Sequence, residues 1–554
     1  MKLTAEQLAI VNHDLNSHAK VLAVAGAGKT STMVERISHL VKELKLDPQS
    51  IRVVMFNKTI CDDFEKKLLA KDIKGVKVKT FHALGKGLLE WAAKKHLIKS
   101  FTLMEDDSDM EALIKAAIEE VLLKSKDMTY EEKKRFNEKK AEHIEDVKNS
   151  IAIWKGMMTP PKRARHLGWP IYSEIYLVYE ILRNKKNSMT FDDMIYGAVE
   201  LLEQNKTAQT DLINRLEHII VDEFQDVNYS KLRLIQLLAG ATAKMMVVGD
   251  DDQCIYEWIG ANPIYLRRGF HEIFTSFPHT IYGLSRSFRF GSKIAQTAAN
   301  CISRNTDREV KALIASDVNK PSFVELNVAE ERSAGKDPVE PILRLIEDGV
   351  PLKEIVALVR SKAQSSSLQN ALFANKIPFY FEGEANLLKS NAIKLARDYL
   401  AVVAGLNLPL NEATRSSITS IINRPKRYVN KDPFSSAANE AFAEGKTPYE
   451  FLITLKDKPM GININCFPHI LKFIDHLKQA RLFVGSENNS PNSAGLALSK
   501  LVELVDFKSN FNEFQTKDKS ESSIESIMSP LPQSQKMANG WCVLTLMENN
   551  PQRV

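Results

Sequence analysis

Cysteine is scarce in this chain. Its five residues among 554 (Cys61, Cys254, Cys301, Cys466 and Cys542) are scattered, odd in number and without C-x-x-C spacing. No disulfide framework or zinc site follows from that pattern. Long apolar runs are missing as well: no stretch reaches the roughly eighteen apolar residues of a membrane span. The opening Met1-Lys-Leu-Thr-Ala-Glu-Gln-Leu8 has no apolar core of signal-peptide length. The expectation is a protein of the reducing cytoplasm with no membrane partner. An excess of one charge is also lacking, since +6 over 554 residues says little about a polyanionic partner. Internal sequence repeats are absent.

What is present describes an ordinary globular chain, 44% hydrophobic and 26% charged, of a length that calls for about two to four domains. Local charge is denser: Lys124 to Lys140 holds seven basic and four acidic residues, and Lys162, Arg163 and Arg165 follow. Both runs read as solvated helix faces. Strand-like segments at Lys20–Val24, Arg52–Phe56 and Val76–Thr80 alternate with helical patterns. From Trp91 to Met189 the pattern turns to long charged helices, such as Asp109–Lys124 and Glu131–Asn149. Strands return at His218–Val221 and Lys244–Val248, which implies one parallel sheet interrupted by a helical insertion. A second α/β stretch has strands at Ile281–Leu284, Ser322–Leu326 and Glu354–Val359, with helices at Lys293–Ser303 and Ser367–Asn375 between them. A second helical region covers Leu387 to Leu504, Lys517–Ser529 reads as a flexible connector, and Trp541–Met547 as a last strand.

The strongest chemical signal is Val21-Leu-Ala-Val-Ala-Gly-Ala-Gly-Lys-Thr-Ser31, a buried strand that breaks into small residues and then enters a helix. This is the setting of a phosphate-binding loop. Backbone N–H groups of Ala25, Gly26, Ala27 and Gly28 can curl around an anion because no large side chain blocks the approach, and the helix adds its positive end. Lys29 would reach the β/γ-phosphates, Thr30 would offer its hydroxyl to Mg²⁺, and Ser31 completes the loop. Ala23 stands where the usual pattern has its first Gly.

Val221-Asp222-Glu223-Phe224-Gln225-Asp226 lies at the carboxyl end of a second buried strand, where α/β sheets place ligands. Asp222 is placed to hold Mg²⁺ and Glu223 to orient and deprotonate water.

With Val248-Gly-Asp-Asp-Asp-Gln-Cys-Ile-Tyr-Glu-Trp258 downstream, this acidic motif resembles that of the UvrD/Rep/PcrA helicases of superfamily 1. Thr80-Phe81-His82, Asn57-Lys58, Ser285-Arg-Ser-Phe-Arg289 and Gln7 match the same family in order, over roughly residues 1–430. The resemblance implies that Gln7 reads adenine and Phe288 stacks on it. It also implies that Gln253 links the γ-phosphate to the DNA strand, and that Arg289 is a finger stabilising the transferring phosphoryl group. Asn57, Lys58 and the segment Thr80, Phe81, His82 would lie along DNA. Tyr256 and Trp258, at alternate positions of an extended or irregular segment, would present both rings to one side, where unpaired bases could stack.

Three departures from the family stand out. Ile259 replaces the Arg of Trp-Arg-Gly-Ala. Phe56 directly precedes Asn57, and is not carried over as a base contact. After Val543–Met547 the family continues with T-x-H-x-[AS]-K-G-L-E and later a second catalytic Arg, whereas this sequence reads Glu548-Asn-Asn-Pro-Gln-Arg-Val554. The expectation there is a prematurely ended reading frame that lacks this segment and the last part of the second α/β domain.

The expected fold is α/β, with two RecA-like parallel-sheet domains of the P-loop NTPase kind, each with a mostly helical insertion. Residues 1–90 and 190–279 would form the ATP-binding domain, with 91–189 inserted. Residues 280–386 and 541–554 would form the second domain, with 387–540 inserted. The resemblance implies an ATP-dependent DNA helicase or translocase moving 3′→5′, with ATP and Mg²⁺ as cofactors and single-stranded or partly duplex DNA as partner. The rival reading is a non-motor protein that binds ATP and single strands with little turnover.

Overall fold

The computed structural model describes residues 3–104, 106–125, 128–328, 339–359, 362–381, 391–455, 464–484, 493–505 and 542–548. The chain divides into two compact units, built mainly from Met1–Glu325 and from Leu326–Leu544.

The first unit is organised by a six-stranded parallel sheet in the order β3-β2-β6-β7-β1-β8. Its strands are β1 (His18–Ala23), β2 (Ile51–Met55), β3 (Lys77–Thr80), β6 (His218–Val221), β7 (Lys244–Gly249) and β8 (His279–Leu284). Between them in sequence, β4 (Thr102–Leu103) and β5 (Ser188–Met189) make a short parallel pair at the base of the insertion. The strands are apolar runs because a parallel sheet is covered on both faces. Alternate residues point to opposite sides. Val53, Met55, Ile220, Met246 and Val248 join one buried cluster, while Val54, Ile219, Val221, Met245 and Val247 join the other.

Helices α1 (Ala5–Val11), α2 (Lys29–Ser38) and α3 (Lys58–Ala70) accompany the first cluster, and α4 (Phe81–Lys94) the second. The insertion has its own core. Helices α5 (Asp107–Lys124), α6 (Tyr130–Glu138), α7 (Lys140–Gly156) and α8 (Ile171–Lys185) bury Ile114, Phe136, Ile151, Tyr172 and Tyr176 among themselves. The single helix expected over Glu131–Asn149 breaks at Lys139, whose backbone leaves the helical region. The break lets Phe136 stack on His143 at 3.7 Å, so both rings reach one core. Helices α9 (Phe191–Gln204), α10 (Lys206–Leu212) and α11 (Tyr229–Ala239) return the chain to the sheet. A buried ion cluster closes this junction: Lys155 contacts Asp193 at 2.6 Å and Glu180 at 2.8 Å.

Two strands differ from the sequence expectation. Ile281–Leu284, expected to open the second α/β domain, is part of β8 and pairs along the whole of β1, with Val21 opposite Tyr282 and Ala23 opposite Leu284. An open edge beside the fully buried β1 would leave its backbone groups unpaired, and β8 covers it. The short α12 (Phe270–Ile273) precedes β8, and short strands β9 (Arg286–Ser287) and β10 (Ile314–Ala315) then pair in parallel, flanking α13 (Ser292–Ile302) in sequence. The second correction concerns Glu354–Val359. No strand forms there: Leu352–Glu354 is a short 3₁₀ turn and the residues after it are irregular. An apolar alternation becomes a strand only beside a hydrogen-bonded neighbour, and among the described residues none pairs with it; Val356 and Leu358 are exposed.

The expected strand at Ser322–Leu326 is present as Ser322–Val328, and a strand covers Cys542–Glu548. In the second unit, helices Asn391–Ala404, Glu412–Ile421, Lys431–Ala443, Pro448–Thr454 and Phe467–Arg481 share one core around Tyr399, Phe434 and Phe473. The connector expected at Lys517–Ser529 and the tail 549–554, on which the expectation of a shortened chain falls, lie outside the described residues. No described helix is long and apolar enough to cross a membrane.

Candidate active site

The loop between β1 and α2 has the backbone that its glycines permit. Gly26 and Gly28 have φ of 75° and 78°, in the left-handed region that favours residues without a Cβ. Space is as restrictive as angle at Gly26, where a Cβ would come within 2.6 Å of Arg289 Cβ and 2.7 Å of Ser287 Oγ. The segment after β8 therefore seats directly on the loop, and Phe288 N–H donates to the Gly26 carbonyl at 2.9 Å. Gly28 caps α2 with no side-chain acceptor, so the first N–H groups of that helix remain available to an anion. Lys29, Thr30 and Ser31 open the helix, all half-buried.

Helix α1 braces the loop from the other side. Thr4 and Gln7 form a reciprocal capping box, and Gln7, 1% exposed, also donates its Nε2 to the Ala27 carbonyl at 3.3 Å. Neighbouring Glu6 accepts from both the backbone N–H and the hydroxyl of Ser285, at 3.0 and 2.6 Å. Gln7, Ala25–Ser31, Phe288 and Arg289 thus come together around one loop.

The carboxyl ends of β6 and β7 face it. Lys29 Nζ lies 2.8 Å from Glu223 Oε2. Glu223 has φ 49°, a strained value for a residue with a side chain, two residues beyond the end of β6. Asp222 is buried, and its Oδ1 accepts the Glu223 N–H at 3.0 Å. Burial pushes the Asp222 carboxyl above the usual carboxylate range, and the adjacent Glu223 charge adds to it. Asp226 is pushed up to about 6 by the same two causes, burial first. From Glu223 a hydrogen-bonded chain runs on: Gln225 Nε2 donates to Glu223 Oε2 at 2.9 Å, and Asp250 N–H donates to Gln225 Oε1 at 3.1 Å. Gln253 Nε2 then donates to Asp250 Oδ2 at 2.6 Å. One connected network joins Lys29, Glu223, Gln225, Asp250 and Gln253.

The residues expected along DNA divide into two kinds. Asn57 and Thr80 are exposed or half-exposed N-caps, accepting from Ile60 N–H at 2.9 Å and from Ala83 N–H at 3.1 Å, and Lys58 is exposed. Phe81 corrects the expectation: it is 2% exposed and belongs to the core under α4, because the first turn of that helix points it into the sheet. His82 packs edge-on against Phe191 and is pushed down to about 4 by burial and, secondarily, by the Lys231 cation. Tyr256 and Trp258 do not share a face of an extended segment, since Glu257–Ile259 is a 3₁₀ turn. Tyr256 stacks on Phe56, with centroids 4.9 Å apart and planes at 22°, while Trp258 stands 71% exposed.

The profile of the UvrD/REP helicase N-terminal domain matches residues 3–270, and that of the UvrD-like helicase C-terminal domain matches residues 282–452. The chain belongs to the UvrD-like helicase family. UvrD-like helicase domains are RecA-like P-loop NTPase folds, the class expected from the sequence. Among its relatives is the ATP-dependent DNA helicase Rep of Escherichia coli strain K12, 26% identical over 442 residues, covering 77% of this chain and 62% of that protein. Rep of Buchnera aphidicola subsp. Acyrthosiphon pisum is 25% identical over 478 residues, covering 84% and 70%. The ATP-dependent DNA helicase PcrA of Staphylococcus aureus strain Mu50 is 25% identical over 439 residues, covering 78% and 57%. The chain thus spans about three fifths of the length of several curated relatives it matches.

Within this UvrD-like site, sequence reasoning missed Lys231 on α11. Its ammonium, in a residue 7% exposed, lies 4.8 Å over the Phe56 ring and 5.7 Å from that of Phe81. Burial pushes it below the usual lysine range, with Asp192 and Asp226 as its carboxylate neighbours. In sequence it reads as a surface cation in the first turn of a helix; no local signal marks it.

Proposed function

We propose that this protein is an ATP-driven DNA helicase or translocase of the UvrD type, moving 3′→5′ on single strands, the direction the family resemblance implies. The observation that carries the reading is the seating of three motifs on one loop. Lys29 of the loop pairs with Glu223, the Ser287–Arg289 segment sits against Gly26, and Gln253 is wired to Glu223 through Asp250 and Gln225.

The loop fits a polyphosphate: Gly26 has no room for a Cβ, and α2 presents uncapped N–H groups. Lys29 would leave Glu223 to take phosphate oxygens, freeing that carboxylate to orient and accept a proton from the attacking water. The buried Asp222 carboxyl, together with the Thr30 hydroxyl, suits Mg²⁺, which when bound would screen phosphate charge. Arg289 would stabilise charge on the transferring group. Gln7 and Phe288 would hold the base. Asn57, Lys58, Thr80, His82, Tyr256 and Trp258 would contact single-stranded or partly duplex DNA by backbone capture and stacking. The cytoplasm, where ATP and DNA are both at hand, is the proposed location.

The test is ATP turnover by the purified chain with and without single-stranded DNA, followed by strand separation on a tailed duplex. DNA-stimulated turnover supports the motor reading. ATP and DNA binding without turnover replaces it with the non-motor alternative.

A further inference from the structure

The run Asp307-Arg308-Glu309-Val310-Lys311 follows α13 and alternates in charge. Each charged side chain in it meets an opposite charge on the sheet or the loops at its carboxyl ends. Asp307 takes Arg267 at 2.6 Å, and Arg308 forks onto both oxygens of Asp252 at 2.9 and 2.6 Å. Glu309 takes the buried Lys20 ammonium of β1 at 2.8 Å, and its N–H donates to Asp251 Oδ2 at 2.8 Å. Lys311 closes the run. Its side chain, 6% exposed, contacts Asp250 at 2.8 Å, Asp252 at 2.7 Å and also Asp251. The three aspartates lie close enough to share one cation, and that cation is the Lys311 ammonium. Val310, in the middle of the run, is 94% exposed. The segment is therefore held by charge and not by burial of its own apolar surface.

The clasp ends on the residue that holds Gln253. Asp250 Oδ1 is shared by Lys311 and the Asp252 N–H, while its Oδ2 accepts Gln253 Nε2. Three adjacent carboxylates beside a polyphosphate site would repel one another and the anion unless neutralised. An ammonium on one oxygen also withdraws charge from the other, so Gln253 is held without being locked.

We propose that Lys311, assisted by Arg308, is a positioning residue for Gln253: it fixes Asp250 so that the Gln253 amide waits beside the phosphate loop and is released to the terminal phosphate of a bound nucleoside triphosphate. This rests on the ATP-hydrolysis reading of the same site. Lys311→Met removes the ammonium, and Lys311→Arg restores a cation. Lys311→Met combined with Asp251→Asn keeps the local charge balance, and so remains informative where the single variant does not fold. The readouts are kcat and KM for ATP, affinity for ADP, and amide hydrogen exchange across Asp250–Cys254. Expected are a kcat loss of up to about 10²-fold, unchanged ADP affinity, faster exchange across Asp250–Cys254, and recovery of kcat and exchange in Lys311→Arg. A folded methionine variant with the parent's kcat and exchange overturns the proposal, as does a loss of ADP affinity as large as the loss of kcat. If the parent hydrolyses no ATP, the functional reading fails, and exchange across Asp250–Cys254 alone judges whether Lys311 orders this segment.

Discussion

Lys29 on the first turn of α2 and Glu223 at the end of β6 form a 2.8 Å ion pair across the intervening strand β7. Each neutralises the other. The proposed phosphate-binding cation and the proposed base are thereby held in one place.

Replacing Lys29 by Ala should abolish ATP turnover and leave the thermal midpoint of the nucleotide-free protein nearly unchanged. The partner left behind, Glu223, is 28% exposed and stays hydrated. Steady-state turnover and a melting curve check both halves. Near-parental turnover would remove the loop from the chemistry.

Glu223→Gln should keep Mg-ATP binding and slow hydrolysis by about 10²–10⁴-fold, because the amide fills the same space but cannot accept a proton. Equilibrium binding of a fluorescent ATP analogue, set beside turnover, separates the two. Loss of binding would make Glu223 a structural or metal-holding group.

Trp258 and Phe81 should behave oppositely. Trp258→Ala, at an exposed ring, should weaken single-strand binding by roughly 1–3 kcal/mol for any base sequence with little change in melting. Phe81→Ala, in the core, should cost about 3–5 kcal/mol of stability and leave the DNA affinity of the folded fraction intact. Titrations with labelled homopolymers and chemical denaturation measure the pair. Equal effects on affinity would return Phe81 to the DNA surface.

His218 gives the pH dependence a sign. Burial, then the Arg36 and Lys244 cations, push its imidazole down to about 3. With the folded value below the unfolded one, the unfolded chain binds the extra proton as pH falls below about 6.5. The stability held at neutral pH is therefore lost progressively on acidification. The melting midpoint of the parent minus that of His218→Leu should be largest above pH 7 and shrink steadily toward pH 5. A difference constant with pH would mean that His218 titrates alike in both states.

What was legible in the sequence was what is local. Gly26-Ala-Gly-Lys29 dictates its own loop because positive φ and small size are properties of the residues themselves. The apolar runs of β1, β2, β6 and β7 announce a sheet covered on both faces. Features that depend on distant partners were not legible. Lys311 and the three aspartates are some sixty residues apart in sequence, and nothing near either marks the other. Phe81 sits in a motif associated with DNA, yet the first turn of α4 directs its ring inward, a matter of helix phase. The alternation at Glu354–Val359 looks like a strand, but strand formation is a property of pairs.

The pairing of β8 along the whole of β1 has a mechanical consequence. Leu284 is fixed opposite Ala23, so the reach from the sheet to Arg289 is a five-residue tether anchored at the base of the phosphate loop itself. The arginine is indexed to the loop by strand register, as a gauge block is to its reference face. Each added residue would shift it by about 3.3 Å, more than a hydrogen bond can span. Length between Leu284 and Arg289 is accordingly a stricter requirement than the identity of any single side chain within it.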